Sequence, residues 1–225
     1  MADGDERGAV IAALMTLAGE RPWDEVTLTR IAERAGLPLA AVRGRFSGRA
    51  AILEAFVAEI DAAVIAGADP DMADEPARDR LFDVVMRRLD CLAPYKAGLK
   101  GLRAAAVRDP ALALWLARLG LSSQRWMLET AGIPATTPFG RLRAGGLALV
   151  EAEVLKVWLD EDDPVMPRTM AALDRALGRG EKALARACRL RDRLAPLLKP
   201  VMDRCAGAAA GRPPAAEAAG PDPAN

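Results

Sequence analysis

Five arginines lie in one short stretch of the chain, residues 26–53, and could bind phosphate groups. A single acidic residue, Glu33, opposes them, so the stretch has a formal charge of +4, whereas the whole 225-residue chain has a net charge of zero. Guanidinium groups form paired hydrogen bonds with phosphate oxygens and displace the counterions condensed on DNA. The alternative is a solvated arginine-rich surface without a ligand. The arginines are Arg30, Arg34, Arg43, Arg45 and Arg49.

Other chemistry has little support in the sequence. The chain has no histidine, and its three cysteines are far apart and in no metal-binding spacing. We find no nucleophile–base set and no glycine-rich phosphate loop, so we expect no enzyme activity, no cofactor and no metal. The acidic run 160–163 could hold a hard cation, but its place before Pro164 is more typical of a helix cap or a solvated loop. Without a signal peptide or a transmembrane segment, we expect a cytoplasmic protein.

The arginines lie on a predicted helix-turn-helix unit. From residue 28 to residue 35, apolar residues recur at i, i+3, i+4 and i+7, the spacing of one helix face. Thr27 is a predicted N-cap, and Gly36 ends the helix because glycine readily adopts a left-handed conformation. A second short helix is predicted over 38–46, and Ser47 is predicted to cap a third. Two short helices joined by a glycine turn are typical of a DNA-binding unit.

The rest of the chain is predicted to be helical as well. Alanine and leucine are abundant, and aromatic residues make up only 4% of the chain, which favours helices over strands. Proline, glycine and hydroxyl residues divide the sequence into about nine helices with no strand. Gly178 and Gly180 are expected to bend or end the last one.

The stretch 10–60 resembles the DNA-binding domain of the TetR family of bacterial regulators. The shared order is a hydrophobic helix, T-x-x-x-I-A-x-x-A-G, a short helix, and F-x-x-[KR]-x-x-[IL]-L. The second short helix departs from the family pattern: Pro38 stands where the family usually has a capping serine. Arg43 replaces the usual tyrosine, and Arg45 replaces the usual histidine. The matching residues are Thr27, Ile31, Ala32, Ala35, Gly36, Leu37, Phe46, Arg49 and Leu53.

The resemblance implies an all-α, TetR-like fold. It implies a three-helix helix-turn-helix domain over 1–50, a larger helical domain for ligand binding and dimerisation over 51–200, and, from the low-complexity composition, a disordered tail over 206–225. The implied function is a DNA-binding transcriptional regulator, a ligand-responsive repressor that binds a double-stranded operator as a homodimer. The residues expected to contact DNA are Thr27, Thr29, Leu39, Ala40, Arg43, Arg45 and Arg49.

Two further sets of residues are candidates for binding. A small apolar ligand could lie between helices of the larger domain, although core packing would explain the same residues. The ligand-pocket candidates are Trp115, Leu119, Trp126, Met127 and Phe139. Packing within the chain is likewise the alternative for the dimer-interface candidates. These are Leu142, Gly145, Gly146, Leu149, Met170, Leu173 and Leu177.

A second, looser resemblance concerns residues 154–177. This run is similar to the end of the coenzyme Q accessory lipid-binding family, which shares the fold. It implies an alternative function, an isoprenoid-lipid-binding accessory protein of ubiquinone biosynthesis with no role at DNA. The residues that carry this resemblance are Trp158, Leu159, Asp160, Asp162, Asp163, Thr169, Leu173, Asp174 and Arg175.

Overall fold

The computed structural model describes the backbone of residues 2–210 and the side chains of residues 4–137 and 139–189. Nine α-helices and three 3-10 turns make up this part of the chain, which contains no strand, so the predicted all-α class is confirmed. No helix within it is long and apolar enough to cross a membrane. The helices are α1 (Ala2–Glu20), α2 (Leu28–Ala35), α3 (Leu39–Arg45), α4 (Arg49–Ala66), α5 (Ala77–Leu92), α6 (Lys96–Arg108), α7 (Pro110–Thr130), α8 (Pro138–Leu159) and α9 (Pro167–Ala210).

Two predictions about helix boundaries are wrong, whereas others are confirmed. Thr137 caps α8 as predicted, because its hydroxyl accepts a hydrogen bond from the Gly140 amide at 2.9 Å. The predicted cap at Ser47 is wrong by one residue, since Gly48 is the N-cap of α4. The predicted break near Gly178 is also wrong, because α9 runs through it. A Cβ added at Gly178 would lie 3.5 Å from the Arg78 guanidinium, an ordinary van der Waals contact, so packing there does not require glycine.

Contacts between Cα atoms group the chain into two units, residues 1–181 and residues 182–225. The first unit contains one continuous hydrophobic core to which α1 through the start of α9 contribute. The second unit begins with the last part of α9, which is helical to Ala210. The division into domains 1–50 and 51–200 stays a prediction. The predicted tail, 206–225, lies outside the described residues from residue 211 onward.

Helix α1 packs very closely on α6. A Cβ added at Gly98 would lie 2.4 Å from the Met15 carbonyl oxygen, and one added at Gly101 would lie 1.7 Å from the Ala18 carbonyl oxygen. Only glycine permits such an approach of two helix backbones. The seam therefore fixes the first helix, which supports the helix-turn-helix unit, against the helices that follow it.

Candidate nucleic-acid interface

The predicted turn between α2 and α3 forms through local hydrogen bonds. The Thr27 hydroxyl accepts a hydrogen bond from the Arg30 amide at 3.3 Å and caps α2. Gly36 has φ +69° and ψ 27°, the left-handed conformation expected there. The Leu37 amide donates to the Ala32 carbonyl at 3.0 Å, which completes a glycine C-cap. The turn is thus fixed by the residue types that the sequence motif contains.

Helix α3 has one buried face and one exposed face. Val42 and Phe46, four residues apart, are buried in the core and anchor the helix and its C-cap. Leu39, Ala40 and Arg43 are exposed, and Leu39 keeps 46% of its surface accessible. The exposed surface of α3 thus combines apolar and cationic side chains.

The last turn of α3 contains an exposed glycine, Gly44. No atom outside its own helix lies within 4 Å of the position that a Cβ would take there. A glycine costs a helix interior roughly 1 kcal/mol relative to alanine. Packing within the described chain therefore does not require a glycine at this position.

Arg49 is held by the protein itself. Its guanidinium donates to the carbonyl oxygens of Trp23 and Val26, at 3.0 Å for Val26, and stacks 4.5 Å from the centre of the Trp23 ring. These contacts tie the start of α4 to the turn before α2. The predicted phosphate contact by Arg49 stays a prediction, and the structure adds a positioning role.

Three other arginines are paired with acidic residues outside the predicted unit or just before it. Arg34 binds Glu20 at 2.6 Å, which raises the pKa of Arg34 and lowers that of Glu20. Arg30 binds Glu25 at 3.1 Å. Arg45 binds the Glu6 carboxylate on α1 at 2.5 Å. The sequence prediction missed these carboxylates because it counted charge over 26–53 alone.

Arg43 differs from the other four arginines. It makes no hydrogen bond or ion pair with any residue that the structure describes, and its side chain is exposed. Over residues 1–50 as a whole, seven acidic and seven basic residues balance each other. Arg43 and Arg49 therefore have no carboxylate partner among the described residues, and Arg43 is the more exposed of the two. Of the predicted hydroxyl contacts, Thr29 is exposed at the start of α2.

The ligand-pocket candidates on α7 do not share one environment. Met127 is fully buried, Trp115 and Leu119 are half-buried, and Trp126 is 58% exposed. Phe139, on α8, is half-buried with the Arg143 guanidinium 5.3 Å from its ring centre. The pocket they were expected to line stays a prediction.

Two open cavities lie elsewhere in the first unit. One of about 230 Å³ lies between the loop after α4 and α5, where Met72, Arg80 and Gly132 contribute to its wall. The other, about 400 Å³, is bordered by Val157 and Arg168. None of the five pocket candidates lines either cavity.

The dimer-interface candidates fall into two groups. Leu142 and Leu149 are 54% and 75% exposed, and no atom lies within 4 Å of a Cβ added at Gly145 or Gly146. These residues form an open apolar strip on α8. By contrast, Leu173 and Leu177 are buried in the chain's own core, and Met170 is half-buried. Of the seven candidates, those on α8 are thus the accessible ones, and the dimer interface stays a prediction.

The residues of the second resemblance have contacts within the chain. Trp158, Thr169 and Leu173 are buried, and Asp174 pairs with Arg78 at 2.7 Å. These residues therefore take part in contacts within the chain, and the Asp174 pair joins α9 to α5.

Glu161 caps the start of α9, as the acidic run predicted. Burial would raise the pKa of its carboxyl group, but hydrogen bonds from the Thr169 hydroxyl and from the amides of Arg168 and Thr169 outweigh burial and lower it. Asp163 accepts a hydrogen bond from the Val165 amide at 2.9 Å. Asp160 pairs with Arg103 at 3.3 Å, and Asp162 lies 4.0 Å from Lys100. Each acidic residue of the run thus has a contact within the chain.

The fold is similar to those of several solved structures. The chain is similar to the TetR transcriptional regulator from Nitrosomonas europaea ATCC 19718, with a TM-score of 0.62 and 19% identity over 78% of this chain and 97% of that one. A TetR transcriptional regulator from Rhodococcus sp. RHA1 gives a TM-score of 0.54 and 19% identity over 80% and 97%. A transcriptional regulator from Rhodococcus sp. Rha1 has a TM-score of 0.53 and 20% identity, over 79% of this chain and 96% of that one. No family model and no curated protein matches the sequence. The likeness establishes a TetR-like fold.

Proposed function

We propose that this chain is a TetR-like DNA-binding transcriptional regulator, acting as a ligand-responsive repressor in the cytoplasm. The observation that carries the proposal is the two-faced helix α3, which buries Val42 and turns Leu39, Ala40 and Arg43 to solvent. The second helix of a helix-turn-helix unit reads bases from the major groove. The fold shared with solved regulators supports the same function.

Each exposed group on α3 has a distinct role in the proposal. Arg43 binds a phosphate, because its guanidinium has no described partner to give up. Leu39 and Ala40 make apolar contacts with thymine methyl groups. Gly44 allows the end of the helix to approach the sugar–phosphate backbone. Arg45 contributes by holding α3 against α1 through Glu6.

We further propose that the chain acts as a homodimer through the α8 strip. Leu142 and Leu149 are exposed apolar residues on either side of Gly146, which lets two helices approach closely. Burial of such a strip against its own copy removes apolar surface from water. A two-fold dimer would present two α3 helices to half-sites about 34 Å apart on one side of the DNA. Replacement of Leu149 with Asp should give a monomer in analytical ultracentrifugation.

A gel-shift experiment tests the regulatory function. Purified protein is mixed with DNA from upstream of its own gene, with excess unrelated DNA as competitor, at low and moderate salt. The proposal expects a discrete shift that resists the competitor. A shift that the competitor removes, or no shift at low salt, would refute sequence-specific binding. Arg43→Ala is the test variant and Arg118→Ala the control, since Arg118 is also exposed and has no described partner.

A further inference from the structure

A buried polar cluster joins four helices of the first unit. Asp61 comes from α4, Arg88 from α5, Ser123 and Gln124 from α7, and Glu151 from α8. Arg88 pairs with Glu151 at 2.6 Å and also with Asp61. The Ser123 hydroxyl donates to Asp61 at 2.6 Å, and the Gln124 amide nitrogen donates to Glu151. None of these five residues belongs to the predicted DNA-binding, ligand-pocket or dimer-interface sets.

Two features of the cluster are uncompensated. Two carboxylates face one guanidinium, so its formal charge is −1. In addition, Gln124 Oε1 has no hydrogen-bond partner, although Gln124 is only 1% exposed. The orientation of that amide is fixed, because its nitrogen must face the Glu151 carboxylate. A buried acceptor without a donor is unfavourable, and so is buried excess charge.

We propose that this cluster is the effector site of the protein and that its effector is a small primary ammonium compound with an apolar body. The ammonium group supplies both missing elements, a positive charge and N–H donors for Gln124 Oε1. The apolar body suits the surroundings, since buried apolar residues lie one helical turn from the cluster, Met127 after Ser123 and Leu147 before Glu151. The Glu151 side chain, 13% exposed, is the member of the cluster that solvent reaches most easily.

The position of Asp61 links the cluster to the helix-turn-helix unit. Asp61 lies on α4, and the first residue of α4, Arg49, binds the carbonyl groups of Trp23 and Val26 before α2. An ammonium group that pairs with Asp61 or Glu151 would compete with Arg88 for these carboxylates. It would thereby change the contacts of Asp61, which hold α4 to α5 and α7. The effector would thus favour a different placement of α4 and change DNA affinity. This regulatory role rests on the proposed function, whereas binding at the cluster can be measured without DNA.

Three matched probes test the chemistry by isothermal titration calorimetry on the full chain. The first is 2-phenylethylammonium, which has a charge and N–H donors. The second is its N,N,N-trimethyl derivative, which keeps the charge but has no donor. The third is 2-phenylethanol, which has a donor but no charge. We expect the first to bind at least tenfold more tightly than the other two. No binding of the first probe, or equal binding of all three, would overturn the site.

Two isosteric variants locate the binding. Gln124→Met removes the unpartnered acceptor and Glu151→Gln removes the excess charge, and each should weaken binding of 2-phenylethylammonium at least tenfold. Glu153→Gln is the control, because it removes the same charge from an exposed residue of the same helix that pairs with Arg179. Circular dichroism confirms folding, and unchanged affinity in either folded variant would overturn the proposal. If the protein binds the amine but not the upstream DNA, the ammonium site is supported and the proposed regulatory function is refuted. If the protein binds the DNA but not the amine, only the ammonium site is refuted.

Discussion

Replacement of Arg88 with Met should strongly destabilise the native state. Arg88 is 5% exposed and is the counter-charge for both Asp61 and Glu151. Burial lowers its pKa, but the charges of the two carboxylates outweigh burial and raise it, so the guanidinium is charged. Removing one partner of a buried pair costs about 3–5 kcal/mol of unfolding free energy. At about 2–4 °C per kcal/mol in a unit of this size, the melting temperature should fall by roughly 6–20 °C.

The neighbouring residue provides a matched control. Arg87 lies on the same helix and pairs with Asp83 one turn away, and both side chains are partly exposed. Arg87→Met should therefore cost less than about 1 kcal/mol. Urea unfolding of both variants measures the difference. Equal, small losses in the two variants would refute the assignment of Arg88 as the centre of the cluster.

Three further predictions follow from the backbone and from one carboxylate. Gly44→Ala should stabilise α3 by about 0.5–1 kcal/mol while weakening DNA binding in gel shifts, whereas Gly120→Ala, equally open but on α7, should stabilise without that loss. Gly101→Ala should lower the unfolding free energy by about 3 kcal/mol or more in urea melts, because its Cβ would meet the Ala18 carbonyl. Glu161 has a lowered pKa, so it stabilises the native state above its ordinary pKa of 4.5 and loses this effect as the pH falls through the native value. Glu161→Gln should therefore lower the melting temperature at about pH 7, and this loss should shrink as the pH falls below 4.5.

The sequence contained the signals that place the helix-turn-helix unit. Thr27 and Gly36 act on their immediate neighbours, and both perform the predicted capping roles. Val42 and Phe46 follow helical spacing, so the buried face of α3 was also predictable. Such local rules extend to most helix boundaries. They fail at Gly178, because a single glycine weakens a helix by only about 1 kcal/mol relative to alanine and need not end it.

The electrostatics of the candidate site depend on residues distant in sequence. Glu6 and Glu20 lie on α1, yet they bind Arg45 and Arg34, so a local count of charge overestimates the positive surface. Arg88 offered one signal that was overlooked: it lies four residues from both Val84 and Leu92, on the face of α5 that packs inward. Its two carboxylates come from α4 and α8, and no spacing in the sequence brings those together.

The salt dependence of DNA binding tests the central claim most directly. The slope of log K against log salt concentration is measured for the natural chain, for Arg43→Ala and for Arg118→Ala, on the same upstream DNA. Each lost phosphate contact should make the slope shallower by about 0.9, hence by about 1.8 for the two Arg43 residues of a dimer. We predict this change for Arg43→Ala and no change for Arg118→Ala. An unchanged slope for Arg43→Ala, with unchanged affinity, would contradict α3 as the DNA-binding helix.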